Sequence, residues 1–307
     1  MDIRQLRYFL EIVEQGSLTR ASEHLNVAQP ALSLHLKNME ERLGARLLNR
    51  SRAGVTPTEA GKLLVLRARA ILNDLARTED DIRNLESDPM GTVRVGIPGT
   101  LSGMIALPLI MAARERYPRI TINIAEAMSG FIADWLSEGR VDIALLYNRY
   151  RGCNIVSERL LEEELVILWQ GGTNAPEEIK LSGLDRVPLV LPSAPHGLRL
   201  LVDRKLQTLG IEPNVAVEID SFSNIKRLVA AGFGASILPL HAALQEVETG
   251  ELTVSRIAAP GLRREAYLLY PSGQPVTHAQ EAVRNLVREV IEDLLKSGVW
   301  AASLASG

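Results

Sequence analysis

The sequence predicts an α plus α/β protein: an N-terminal winged helix-turn-helix, a long linker helix and a C-terminal α/β domain. Three observations carry that class. Residues 1–58 hold three helical patterns separated by turn signals and followed by a basic, glycine-containing wing. Residues 59–88 carry a heptad seam that ends at Asp88-Pro89-Met90-Gly91. From 91 to 297, strand and helix signals alternate in the rhythm of a parallel sheet.

The head is read from its spacings. Leu6, Phe9, Leu10 and Val13 fall on one side of a first helix. Ser17 offers a capping hydroxyl to a second, whose stripe is Leu18, Ala21 and Leu25. Asn26-Val27-Ala28 makes a tight turn, and Pro30 suits the first turn of a third helix, where its missing N–H costs little. There Leu32, Leu36, Met39 and Leu43 recur at steps of four, three and four and predict one buried face. At about 100° per residue, Pro30, Ser33, Leu34 and Lys37 point the other way, flanked by Gln29 and His35. Small, polar and basic side chains at the start of an exposed helix suit the major groove. Gln29 fits adenine, Ser33 a base or phosphate, Leu34 a thymine methyl, and Lys37 a phosphate. Thr19 and Arg20 of the second helix complete the expected DNA face on this side. Gly44 ends the third helix. Arg46, Arg50 and Arg52 follow, with Gly54 at the wing tip. Residues 33–62 hold six Lys or Arg against three Glu, while the whole chain carries −3. The local excess sits where a phosphate backbone would lie, so Arg50 and Arg52 are expected phosphate contacts. The plainer alternative is a helical bundle whose polar face is merely solvated.

Thr58 can cap a helix running to about Glu86. Leu64, Ala68, Ile71, Leu75, Thr78, Ile82 and Leu85 alternate steps of four and three along it. That seam predicts a coiled coil with a second copy, because so long a helix has little of its own chain to pack on. The alternative is a lone amphipathic helix packed on its own chain.

In the body, Val93–Ile97, Thr121–Ala125 and Val141–Tyr147 read as strands, and Ala106–Tyr117 and Phe131–Gly139 as helices. A second unit from Glu162 offers strands at Leu165–Trp169, Val187–Leu191 and Val215–Ile219. Its helices are Leu198–Leu209 and Phe222–Ala231, with turn and strand over Gly232–Pro239. Glu265–Tyr270 and the helix Ala279–Ser297 return to the first unit, and a frayed tail is expected beyond. Ligands of open α/β sheets sit beyond the carboxyl ends of strands, where helix N-termini offer free N–H groups. Thr100, Ser102, Met128, Ser129, Ser193, His196 and Phe222 fall there and form the candidate set for a small polar or carboxylate ligand. Each hydroxyl equally suits a plain helix cap. Arg199 can pair an acidic ligand or a surface carboxylate.

A chain of 307 residues that is 46% hydrophobic supports two or three domains. Its single cysteine, Cys153, excludes an internal disulfide and fits a reducing, cytoplasmic setting; an inert thiol is expected there, with redox sensing as the lesser reading. No signal-peptide core and no apolar run near the roughly 18 residues of a membrane span are found. The five histidines show no metal spacing.

The head resembles the LysR-type bacterial transcriptional regulators. The matching residues are Leu6-Arg-Tyr-Phe-Leu10, Gly16-Ser-Leu-Thr-Arg-Ala-Ser22, Gln29-Pro-Ala-Leu-Ser33, Leu43-Gly44, Asn49-Arg50 and Thr56-Pro-Thr-Glu-Ala-Gly61. Within that family the nitrogen assimilation control branch is most similar, on Ala28–Ser33, Gly54–Thr58, Leu191–Ser193, Arg199 and Val202-Asp203. Ala28 stands where the family often caps with Ser or Asn, and Leu34 and His35 where polar or basic residues are common, which alters the expected base contacts. The resemblance implies two α/β subdomains joined by crossover strands, as in periplasmic solute-binding proteins. Their bounds would be about 91–161 with 266–297, and about 162–265. It also implies double-stranded promoter DNA as partner, a homodimer or homotetramer, a small-molecule effector in the cleft, contact with RNA polymerase, and no cofactor, metal or catalytic residue. A regulator whose body serves assembly alone is the runner-up. An enzyme fused to the head is the rival from another class. Against it, Gly99-Thr-Leu-Ser102-Gly103 sets its serine one place late for a nucleophile elbow. Gly61-Lys62 lacks the rest of a phosphate loop, and no His-Glu-x-x-His occurs.

Overall fold

The structure is a computed structural model that describes residues 1–51, 54–83, 89–150, 152, 154–194, 196–273, 276–298, 300 and 302–304. Arg52, Leu85 and Cys153, singled out above, lie outside the described residues. The chain divides into two compact units, one of residues 1–87 with 138–140, the other of 88–137 and 141–307.

The head opens with α1 (Ile3–Gln15), capped by Asp2 and Gln5 in a reciprocal capping box and closed by Gly16 at φ 58. Ser17 Oγ accepts from Arg20 N at 3.4 Å and starts α2 (Leu18–Leu25). Asn26, left-handed at φ 53, turns the chain into α3 (Gln29–Leu43), which ends at Gly44, φ 65. Leu6, Phe9, Ile12, Ala21, Leu32, Leu36 and Met39 pack as one core. Leu43, expected on that face, is 45% exposed at the last residue of the helix.

The wing is β1 (Leu48–Ser51) paired antiparallel with β2 (Gly54–Pro57). Gly54 sits at φ 122, and a Cβ there would lie 2.8 Å from the Gly16 carbonyl oxygen; Val55 N donates to that same oxygen at 2.9 Å. Thr58 caps α4 (Glu59–Arg83) through Gly61 N at 3.0 Å. Leu64 and Ala68, the first two positions of the predicted seam, are buried in the head core with Val65. The expectation that α4 has little of its own chain to pack on therefore fails for its first three turns. The later positions behave differently: Ile71 and Thr78 are exposed, Leu75 is half-buried, and Ile82 is 64% exposed.

The second unit begins with β3 (Gly91–Ile97), α5 (Gly99–Arg116), β4 (Ile120–Glu126), α6 (Ser129–Ser137) and β5 (Ile143–Leu146). α5 starts seven residues before the expected Ala106. Pro98 precedes its first turn, and Pro108 is accommodated inside it. β6 (Ile155–Gln170) is far longer than the expected Leu165–Trp169 because its first half is laced with charge, Glu158-Arg159 and Glu162-Glu163-Glu164. It passes from one sheet into the next. β7 (Glu178–Ile179), β8 (Leu189–Leu191), α7 (Gly197–Thr208), β9 (Val215–Glu218), α8 (Phe222–Ala230), β10 (Ser236–Pro239), α9 (Leu244–Glu248) and β11 (Leu252–Ile257) follow. The chain returns through β12 (Arg263–Pro271) to α10 (His278–Lys296), with Thr277 and Gln280 as its capping box, and ends in β13 (Ala302–Leu304).

The first sheet runs β4-β3-β5-β12-β6, with β3 parallel to β4 and β5, and β12 antiparallel to β5 and β6. The far half of β6 pairs with β10 on one side and β11 on the other, while β8 and β9 form a parallel pair. Three buried clusters result, one under α5 and α10, another under α7 and α8, and a smaller one between α6 and strands β5 and β12. The tail is not frayed as expected: Trp300 is 2% exposed within the first core, and β13 pairs with β6 at Leu161–Glu163. A large apolar side chain just past the Gly298 turn outweighs the terminal position.

Candidate functional site

On the head, the expected groove-facing side chains stand together. Gln29, Pro30, Leu34 and Lys37 are exposed and Ser33 half-exposed on α3, with Gln29 Nε2 3.4 Å from Ser33 Oγ. Leu34 is 57% exposed, with no apolar neighbour to explain it within the head core. Lys37 lies 3.5 Å from Glu41, both in solvent, a pair that opens at little cost. Thr19 and Arg20 are exposed at the start of α2, and Arg50 on β1. His35 is placed differently from its neighbours. It is half-buried, and its ring meets Tyr8 of α1 edge-on at 5.3 Å, which turns it toward the bundle. Glu40 accepts from Leu47 N at 2.7 Å, so one of the region's acids fixes the wing.

In the second unit, four helix N-termini meet at a cavity of about 560 Å³: Gly99 and Thr100 of α5, Ser129 of α6, His196 to Leu198 of α7, and Ser221 to Ser223 of α8. The positive dipole ends of four helices therefore converge, two of them already capped by a side chain, α7 by His196 and α8 by Ser221. Of the expected set, Thr100, Met128, Ser129, His196 and Phe222 line it, and Ser102 and Ser193 do not. Ser102 is buried in the first turns of α5. Ser193 is spent on Asp220, which accepts its N–H at 2.9 Å and its hydroxyl at 2.7 Å and is thereby held below its ordinary carboxylate range. His196 caps α7, Nδ1 accepting from Leu198 N at 3.1 Å, and its ring meets Phe222 at 5.4 Å. Burial and, next, the Arg264 charge push its imidazole down, so it is neutral at pH 7, as an acceptor must be. Arg199 makes internal ion pairs, to Asp203 at 2.8 Å and Glu218 at 2.7 Å.

The sequence reading missed the charged floor. Arg264 of β12 is 5% exposed yet lines the cavity. Its guanidinium lies over the Tyr147 ring, 3.4 Å from the centroid, its Nε donates to Glu163 Oε1 at 2.5 Å, and its Nη2 reaches Thr100 Oγ1 at 3.4 Å. Nη1 has no hydrogen-bond partner among the described residues. Burial alone would raise Glu163; Arg264, His241 and the Trp300 N–H outweigh it and hold the carboxyl at about 2. Burial pushes the Tyr147 phenol well up, against the pull of Arg264, so it stays neutral. Glu126 and Asp220 place carboxylates at the cavity rim. No cluster of three or more His, Cys, Asp and Glu among the described residues is placed to hold a metal, and no described helix is long and apolar enough to cross a membrane.

Comparison with known proteins bears on both regions. Residues 3–62 match the model of bacterial regulatory helix-turn-helix proteins of the lysR family, and residues 86–292 that of the LysR substrate binding domain. The nitrogen assimilation regulatory protein nac of Escherichia coli (strain K12) is 33% identical over 293 residues, 95% of either chain. Full-length OxyR from Pseudomonas aeruginosa has the same fold, with a TM-score of 0.73 at 23% identity over 95% of both chains. CbnR, solved in complex with its target DNA, shares the fold at a TM-score of 0.55 and 24% identity, over 94% of this chain and 99% of that one.

Proposed function

The chain belongs to the lysR family of bacterial helix-turn-helix regulators, and on that premise we propose that it reads promoter DNA with α3 and its wing and answers to a small anionic ligand held on Arg264. The first half follows from the exposed row Gln29, Ser33, Leu34 and Lys37, with Arg50 and Arg52 as backbone contacts. Thr19 and Arg20 assist from α2, and His35 acts by holding the reading helix against Tyr8. The open part of the α4 seam, Ile71, Leu75, Thr78 and Ile82, suits pairing with a second copy, and two heads on a twofold axis then meet two half-sites. The location is cytoplasmic, where promoter DNA is.

The single observation that carries the second half is the buried Arg264, which lines a cavity ringed by helix N-termini and whose Nη1 has no hydrogen-bond partner among the described residues. Ser129 and the α8 start add donors, Met128 and Phe222 supply apolar wall, and Thr100 lines the site with its hydroxyl already donated to Tyr147 at 3.2 Å. A ligand that binds one spacing of the two subdomains better than another shifts their population, the step from binding to altered DNA and polymerase contact.

Footprinting of the purified protein on DNA flanking its own gene, at low and high salt, tests the DNA reading. Protection of a near-palindrome, weakened about tenfold or more by Ser33→Ala, is expected. Only diffuse, salt-sensitive binding that Ser33→Ala leaves unchanged would overturn the assignment of α3.

A further inference from the structure

We propose that Trp300 and Glu163, neither of which lines the cavity, position Arg264 for the ligand, so that the C-terminal tail belongs functionally to the binding site. The proposal rests on the reading of Arg264 as the anion-binding group.

Glu163 occupies the point on β6 where three strands meet. Its register partner on one side is Arg264 of β12, and on the other Ala302 of β13. The side chain is 1% exposed, and its two oxygens are used in different directions. Oε1 accepts from Arg264 Nε; Oε2 accepts from Trp300 Nε1 at 2.8 Å and faces His241 Nδ1 at 3.2 Å. A carboxylate tied at both oxygens cannot rotate about its last bond, and Arg264 inherits that fixity. The guanidinium is then held at Nε by Glu163, at Nη2 by Thr100 and on one face by Tyr147, which leaves Nη1 as its open corner among the described residues.

Trp300 is itself well anchored. Its backbone N–H donates to the Leu294 carbonyl at the end of α10 at 3.1 Å, Ala302 N donates to its own carbonyl at 2.9 Å, and its ring meets His241 edge-on at 5.4 Å. Packing alone would be served by any large apolar ring. The indole N–H instead gives the buried anion's Oε2 a second donor beside His241 Nδ1. Loss of that donor leaves Glu163 Oε2 held by His241 alone, which loosens the carboxylate and Arg264 with it.

The test uses the full chain and calorimetric titration with the aliphatic dicarboxylates from malonate to adipate, each against its neutral diamide. Wild type should prefer at least one dianion over its diamide. Trp300→Phe keeps a ring against His241 and removes only the donor. It should lower that preference about fivefold, the worth of one net hydrogen bond, with diamide affinity unchanged. A merely structural role lowers the melting temperature and leaves the preference alone, and that result overturns the proposal while sparing the reading of Arg264. No preference for any dianion in wild type overturns both. Should Trp300→Phe not fold, the indole ¹⁵N–H signal of Trp300 in wild type decides, assigned by elimination with Trp135→Phe and Trp169→Phe. It should move on saturation with the preferred dianion and not with its diamide; a signal that stays put with the dianion bound sinks the proposal.

Discussion

Gln29, Ser33, Leu34 and Lys37 come from fewer than three turns of one helix and stand in solvent, whereas Thr100, Tyr147, His196, Phe222 and Arg264 come from five separate segments and are packed together. The difference concerns what each region asks of the fold. A face on one capped helix needs only that helix to be seated, so its side chains are nearly independent of stability. A cleft assembled from distant strands and helices shares its groups with the core, and the charges that face the ligand also hold the sheet together. Stability measurements on matched substitutions in the two regions can therefore break or sharpen the contrast.

The largest effect is expected at Glu163. Its replacement by Leu leaves the Arg264 guanidinium buried at 5% exposure without its carboxylate. Removal of one partner from a buried pair costs about 3–5 kcal/mol, so Glu163→Leu should unfold at much lower urea. A loss under about 1 kcal/mol would mean that Arg264 escapes to solvent on its own and is not a built floor.

Acid should act through the same group, less strongly. Glu163 is lowered from 4.5 to about 2 in the folded protein. A depressed carboxyl contributes its stability fully above its unfolded value and loses it as pH falls through the folded one. The window therefore opens below about 4.5 and closes near 2. The size is on the order of 3 kcal/mol. Asp220 and Glu158 are shifted the same way, by Ser193 and Arg288, but lie in or near solvent and add little. Urea unfolding across that window should show a clearly flatter pH slope for Glu163→Gln than for wild type. Equal slopes would place the acid sensitivity elsewhere.

The same contrast explains what could be read from the residues. The head was legible because its signals are local: Ser17 three residues before Arg20, glycine at position 44, and apolar steps of three and four. Where a neighbour from farther along intervened, the reading failed. Leu64 and Ala68 carry the heptad period, but the head core claims them. Pro98-Gly-Thr-Leu-Ser-Gly103 has loop composition, yet Pro98 and the apolar Leu101 and Ile105 start a helix there. Arg264 sits in Arg263-Arg264-Glu265, which reads as surface; only the register with Glu163, a hundred residues earlier, buries it. The one signal that could have exposed the tail's role was Trp300 itself, an indole where solvated residues were expected.

The smallest stability effect, and the sharpest separation, should come from the wing. Arg50 projects from β1 in solvent, and no core contact depends on its side chain. Arg50→Ala should leave unfolding within about 0.5 kcal/mol of wild type. DNA binding should weaken nonetheless, for all sequences alike, because a phosphate contact carries no base information. The slope of log affinity against log salt should flatten by about one, the share of a single neutralised phosphate. An unchanged slope would remove Arg50 from the backbone contacts. A stability loss as large as that of Glu163→Leu would show that the wing, like the cleft, is built into the core, and the contrast between the two regions would fall.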